Sequence, residues 1–223
     1  MYLTPDGNFI LPKPSSAARR IKMGVQKHFT GSIIVGEDEG QVIEFESHTE
    51  RQTALVMLAR QEVVDLESQV LFQWIDQTGK ARRHFFDFRI SLRDGRRIVL
   101  IVKNSRQAAK PDFLAEMQCL ACQVTPDVAD QVSLITEKHL DPIEVHNAEL
   151  IHSVRLSDPE PDAAVQKVVA GMNGAAKIQD IVTAAGFSGR GFLAVVRMIR
   201  SHQLEPVAHE RIEPEVLVRR RGG

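Results

Sequence analysis

The sequence predicts an α/β (α+β) protein, a mixed sheet flanked by helices and followed by a small helical domain. Three observations carry this. Strand-like and helix-like segments alternate up to about residue 156. The stretch Ser157-Asp158-Pro159-Glu160-Pro161-Asp162, with two prolines among acids, then breaks the pattern. Short helical segments follow it. The 223 residues therefore divide into 1–156, a linker at 157–162, and 163–223.

The elements follow from local chemistry. Residues 1–35 hold a Pro-rich start and the basic run Arg19-Arg20-Ile21-Lys22, an arm lying over the body or a phosphate contact. Two short strands are expected at 32–46, a helix at 48–61, and extended chain through VVDLESQVLFQWID. Residues 83–92 and 96–103, rich in Phe, Ile, Val and Leu around Asp94-Gly95, read as a β-hairpin. A helix begun by Pro111 spans 111–123, with Leu114, Met117, Leu120 and Ala121 on one stripe. The strand QVSLIT and a helix over 144–152 carrying Asn147, Leu150 and Ile151 complete the first part.

Beyond the linker, helices are expected at 163–172, 177–185 and 189–201, with Ser188 placed to cap the third. Val195, Met198 and Ile199 face inward at helical spacing and leave Arg190, Arg197 and Arg200 for the surface. PVAHERIEPEVLVRR follows as a two-stranded wing. This is a winged helix-turn-helix outline, whose third helix either enters a DNA groove or packs on a protein.

Composition sets outer limits. No apolar run reaches membrane length, no secretory signal opens the chain, and two cysteines do not make a disulfide scaffold. A cytosolic protein without a membrane partner is expected. Net charge is −1, yet from residue 164 onward nine Lys/Arg face five Asp/Glu, which suits a polyanionic partner. No Gly-rich phosphate loop and no Ser-His-Asp pattern is present.

The candidate chemistry lies on the hairpin. Lys103 stands sixteen residues after Asp87. A two-residue loop at Asp94-Gly95 would send the two to opposite faces of the sheet. A three-residue loop, Arg93-Asp94-Gly95, puts Asp87 opposite Ile101 and sets Asp87, Ile101 and Lys103 on one face. They are then either ordinary solvent-side strand residues or the acid and base of a metal-dependent nuclease. Glu46 and Glu50, four apart, offer a further acid on one helix face. Ser47-His48-Thr49-Glu50 also matches a capping box, so Glu50 has two available roles. His48 and His84 flank these acids as surface, core or hydrogen-bonding groups. Cys119 and Cys122 lie in a helical apolar stripe and read as buried thiols, and Trp74 as core. Arg219-Arg220-Arg221 either touches phosphate or is solvated.

Four segments together, FES-HTE around Glu46–Glu50, SQVLFQW, FFDFRISLRDGRRIVLIVK and LITEKHLDPIEVHNAELI, resemble the TnsA-type endonuclease subunit of heteromeric cut-and-paste transposases. The resemblance covers about residues 30–155. It implies a restriction-endonuclease-like domain that hydrolyses double-stranded DNA at transposon ends in the bacterial cytosol, beside an integrase-fold transposase. It implies that Glu50, Asp87 and the carbonyl of Val102 hold Mg²⁺, with Mn²⁺ as substitute, and that Lys103 orients or activates the attacking water. Thr136-Glu137 corresponds to a motif that closes the domain. One position departs from the family: Ile101 stands where it has Glu or Gln, and an alkyl group offers no metal ligand. A non-catalytic DNA-binding or assembly factor that retains the nuclease fold is the alternative.

Overall fold

The computed structural model describes residues 2–4, 6–19, 21 and 29–221. Arg20 and Lys22 of the basic run lie outside them. The chain is mixed α/β and forms two compact units, Met1–Asp141 and Pro142–Gly223.

In the first unit β1 (Tyr2–Leu3) pairs with β2 (Phe9–Ile10), and β3 (Gly31–Val35) with β4 (Gln41–Phe45). Then come α1 (His48–Ala59), β5 (Val63–Ile75), β6 (Ala81–Leu92), β7 (Arg97–Val102), α2 (Ser105–Ala108), α3 (Pro111–Ala121) and β8 (Gln131–Ile135). The last four strands form one sheet in the order β5-β6-β7-β8. Its pairs are antiparallel except β7 with β8, which run parallel. Two parallel neighbours need a crossover, and α2 and α3 supply it.

The hairpin takes the three-residue loop. Pairs run from Phe88 opposite Leu100 to Ser91 opposite Arg97. Leu92 N–H bonds Arg96 O at 2.8 Å, Gly95 N–H bonds Leu92 O at 2.9 Å, and Gly95 takes φ 88°. That left-handed conformation is the one for which glycine carries no steric cost. Asp87 therefore falls level with Ile101, one step beyond the last pair.

The pairing of β5 with β6 is interrupted at two points, a register shift between Val63 and Asp65 and a gap further along. The strands pair at Ser68–Phe88 and Val70–Phe86 but skip Gln69–Asp87, and Gln69 has φ 53°. Phe86 joins the cluster of Phe72, Trp74, Val99, Ile101, Met117 and Leu120, whereas Phe88 stands opposite Leu100. Strict alternation would put Phe86 and Phe88 on one face. The alternation is interrupted between them, at Asp87, where one residue on each strand leaves the ladder without changing its register.

In α3 the core stripe is Phe113, Met117 and Leu120; Leu114 is exposed instead. Of the expected stripe, Met117 and Leu120 are core and Ala121 is half-buried; Leu114 points out and Phe113 packs in its place. Trp74 is core, at 5% exposure.

The second unit holds α4 (Pro142–Ser153), α5 (Pro159–Ala170), β9 (Ala175–Lys177), α6 (Ile178–Ala185), α7 (Ser188–Arg200), β10 (Leu204–Pro206) and β11 (Leu217–Arg220). Its three strands pair antiparallel in the order β10-β11-β9. Helix α6 ends on Gly186 at φ 75°, a left-handed cap that frees the chain to turn into α7. Val165, Val169, Ile178, Ile181, Val195 and Val218 are core, and Leu150, Ile151 and Val154 pack with them.

Three sequence expectations change here. The boundary falls after Asp141, not at 157–162, because α4 packs within the second unit: Asn147 bonds Glu210 O and Ile212 N–H, both at 2.9 Å. The linker reading fails from Pro159 on, where α5 begins. Pro159 and Pro161 sit in the first turn, whose amides have no helical acceptor, so neither proline breaks the helix. Asp162 Oδ2 accepts the Asp158 N–H at 2.9 Å and fixes that turn. Ser188 does not cap α7; it is the first helical residue, and Phe187 holds the cap position without a side-chain bond. No helix among the described residues is long and apolar enough to cross a membrane.

Candidate active site

Ser47 starts α1. Its backbone is extended, and its Oγ accepts the Glu50 N–H at 3.1 Å. Glu50 folds back in return: Oε2 accepts the Glu46 N–H at 2.7 Å and Oε1 the Ser47 hydroxyl at 2.8 Å. The carboxylate thus performs the capping role, reaching one residue further back than the usual box. It remains buried, at 6% exposure. Glu46 precedes the helix, so the two glutamates do not share a helical face.

Asp87 lies at the interruption in β6 and is 8% exposed. Strand β7 leaves β6 after Leu100, and the freed Val102 N–H donates to Asp87 Oδ2 at 2.7 Å. Lys103 follows, held by its own N–H to Ile135 O at 3.0 Å. Lys103 is half-buried and has no ion pair among the described residues.

Glu50, Asp87 and Lys103 line one cleft of about 590 Å³ together with Arg19, Glu46, Arg83, His84, Ile101 and Val102. Burial dominates the electrostatics of both acids. Burial raises the Asp87 pKa to about 7, and the Glu50 charge adds to the rise against the Val102 N–H, Lys103 and Arg19. Burial also raises the Glu50 pKa, opposed mainly by the Glu46 N–H and the Ser47 hydroxyl. The Glu46 charge adds to the rise at Glu50 and Lys103 opposes it, and a nearby cation would favour both carboxylate charges. His84 is pushed down to about 4, first by burial and then by Lys103 and Arg19, and its Nε2 is buried without a partner.

The donor set fits a hard divalent ion only in part. Two carboxylates and a carbonyl suit Mg²⁺, with water filling the remaining positions. Yet among the described residues no group of three or more His, Cys, Asp or Glu side chains could hold a metal ion. Ile101 belongs to the core, 1% exposed, and its alkyl group serves packing and offers no metal ligand.

The remaining candidates lie elsewhere. His48 is exposed, edge-on to Phe29 at 5.4 Å, and does not line the cleft. Cys119 is half-buried against the core cluster and Cys122 is exposed, against the expectation of two buried thiols, because Cys122 falls at the C-cap of α3 rather than within its packed face. Glu137, in the short turn after β8, accepts the Ser105 N–H at 2.9 Å and ties that turn to the start of α2, a structural bond. Arg190 and Arg197 are not left free at the surface. Arg190 bonds Asp158 at 2.7 and 2.9 Å and Glu160 at 3.2 Å. Arg197, its side chain 14% exposed, bonds Asp162 at 2.6 Å. The acids expected in a linker instead clamp α5 to α7. Arg200 lies in the last turn of α7, with partners of its own. At the C-terminus Arg219 and Arg221 pair with Glu205, and Arg220 bonds Ala170 O.

Sequence reasoning missed Arg19 as a residue of this cleft. Its Nε donates to Gln69 Oε1 at 2.5 Å, its Nη2 pairs with Glu46, and its guanidinium lies 5.3 Å from the centre of the Phe85 ring. No protein-family model matches the chain, and no curated protein matches it.

Proposed function

We propose that this protein is a divalent-metal-dependent DNA endonuclease of the TnsA-like class, with a restriction-endonuclease-like first unit and a winged-helix second unit. The observation that carries the reading is the convergence of buried Glu50 and Asp87 with Lys103 in one cleft. Buried carboxylates with raised pKa values are costly unless a cation is meant to join them. Glu50, Asp87 and the Val102 carbonyl would hold Mg²⁺, which when bound supplies positive charge to the phosphate under attack. Lys103 orients the attacking water and steadies the charge that develops on the phosphate oxygens. Burial of Asp87 among Ile101 and Val102 excludes bulk water and sharpens those interactions. The integrase-fold transposase partner belongs to the same proposal.

A second reading is favoured by Ile101 and by the two hydrogen bonds that already occupy the Glu50 carboxylate. On that reading the fold persists as a DNA-binding or assembly factor. Calorimetric titration with Mn²⁺ separates them. Wild type is expected to bind the ion and Asp87→Ala to lose that binding. Absence of binding by wild type would sink the metal-dependent reading.

A further inference from the structure

We propose that Arg19, carried into the cleft by the N-terminal arm, grips a backbone phosphate of the bound nucleic acid, and that Gln69 is its positioning residue. The inference deepens the nuclease reading and rests on it for the class of substrate.

The arm is fastened to the body by its own backbone. Lys13 N–H bonds Gly40 O and Val42 N–H bonds Lys13 O, both at 2.9 Å. The Ala18 N–H then reaches Gln69 O at 3.2 Å, which delivers the next residue, Arg19, to the cleft. Gln69 is an unusual anchor. It is fully buried, takes a left-handed backbone that a non-glycine residue adopts at a cost, and leaves its own Nε2 without a partner. What that conformation achieves is visible in its acceptors: the carbonyl takes Ala18 and the side-chain oxygen takes Arg19. The same interruption sets Asp87 at the cleft, so one irregularity places both the acid and the arginine.

The guanidinium is held on three sides, by Gln69 at Nε, Glu46 at Nη2 and the Phe85 ring. Its Nη1 has no partner among the described residues. A planar fork pinned at one edge, with the other edge open, is preorganised for phosphate oxygens. The side chain is 39% exposed and lines the cleft. Arg83 and Lys103 line the same cleft without ion pairs among the described residues, which adds two charges suited to a polyanionic strand.

The test is fluorescence anisotropy of a labelled duplex oligonucleotide with the full chain in Ca²⁺, at several salt concentrations, beside Mn²⁺ calorimetry. Arg19→Ala is expected to bind the duplex about tenfold more weakly, with a log–log salt slope shallower by about 1. It still binds Mn²⁺, since a guanidinium cannot ligate a cation. Arg19→Lys keeps the salt slope but recovers only part of the affinity, because the charge returns without the fork. Gln69→Leu weakens binding in the same direction with the salt slope of wild type. Unchanged duplex affinity and slope in Arg19→Ala would overturn the proposal, as would a wild type that binds Mn²⁺ but no duplex even at low salt. A wild type that binds no Mn²⁺ while Arg19→Ala loses duplex affinity would overturn the nuclease reading and uphold the Arg19 contact.

Discussion

Asp87 is held against its own preference. Its one hydrogen bond from the described residues, from Val102 N–H, does not compensate for burial and the neighbouring Glu50, so its pKa in the folded chain lies near 7 rather than 3.8. Below the unfolded value both states are protonated and the residue costs nothing. As pH rises from about 4 to 7 the unfolded chain ionises first, and stability falls. Asp87→Asn keeps an acceptor for Val102 and removes the charge. It is therefore expected to leave the melting temperature nearly unchanged at pH 4 and to raise it at pH 8, where the gain in stability is at most about 4 kcal/mol. His84 resists protonation in the same range and destabilises both proteins equally on acidification, so it cancels in the comparison. Thermal unfolding at the two pH values checks this; an equal shift at both would mean that Asp87 is not strained by its charge.

At the scale of elements, legibility followed the range of the interaction. The hairpin register could be read because three adjacent residues, Arg93, Asp94 and Gly95, decide it. The capping geometry of Glu50 was likewise local. The skipped pair at Gln69–Asp87 was not legible, since nothing in SQVLFQW marks Gln69 as left-handed, and Arg19 reaches it across fifty residues. The start of α5 was misread because a proline signals both a loop and a helix's first turn. With α5 misplaced, its acids could not be matched to the arginines of α7, which then looked free. The two arginines should now respond differently to substitution. Arg197→Met should lower stability by about 1–3 kcal/mol, since it leaves Asp162 without its partner in a partly buried place. Arg190→Met, at a solvent-exposed pair, should move the melting temperature little. Equal effects in thermal unfolding would mean that burial does not distinguish the two ion pairs.

For the molecule as a whole, the consequential difference between sequence and structure is where the second unit begins. Three side chains at 150–154, Leu150, Ile151 and Val154, pack into its core, and Asn147 closes two backbone groups of the segment near Ile212. Burying a residue of this size stabilises by about 1.5–3 kcal/mol, against a total of about 5–15 for a domain. A fragment of residues 142–223 is therefore expected to fold and melt cooperatively. A fragment of 163–223, cut at the boundary the prolines suggested, loses α4, the first turn of α5, and the acids that hold Arg190 and Arg197. Its expected state in circular dichroism is largely unfolded, or folded with a much lower midpoint. Equal midpoints for the two fragments would show that α4 adds nothing to this unit. The same outcome would restore the division at 157–162, and α4 would then belong with the first unit.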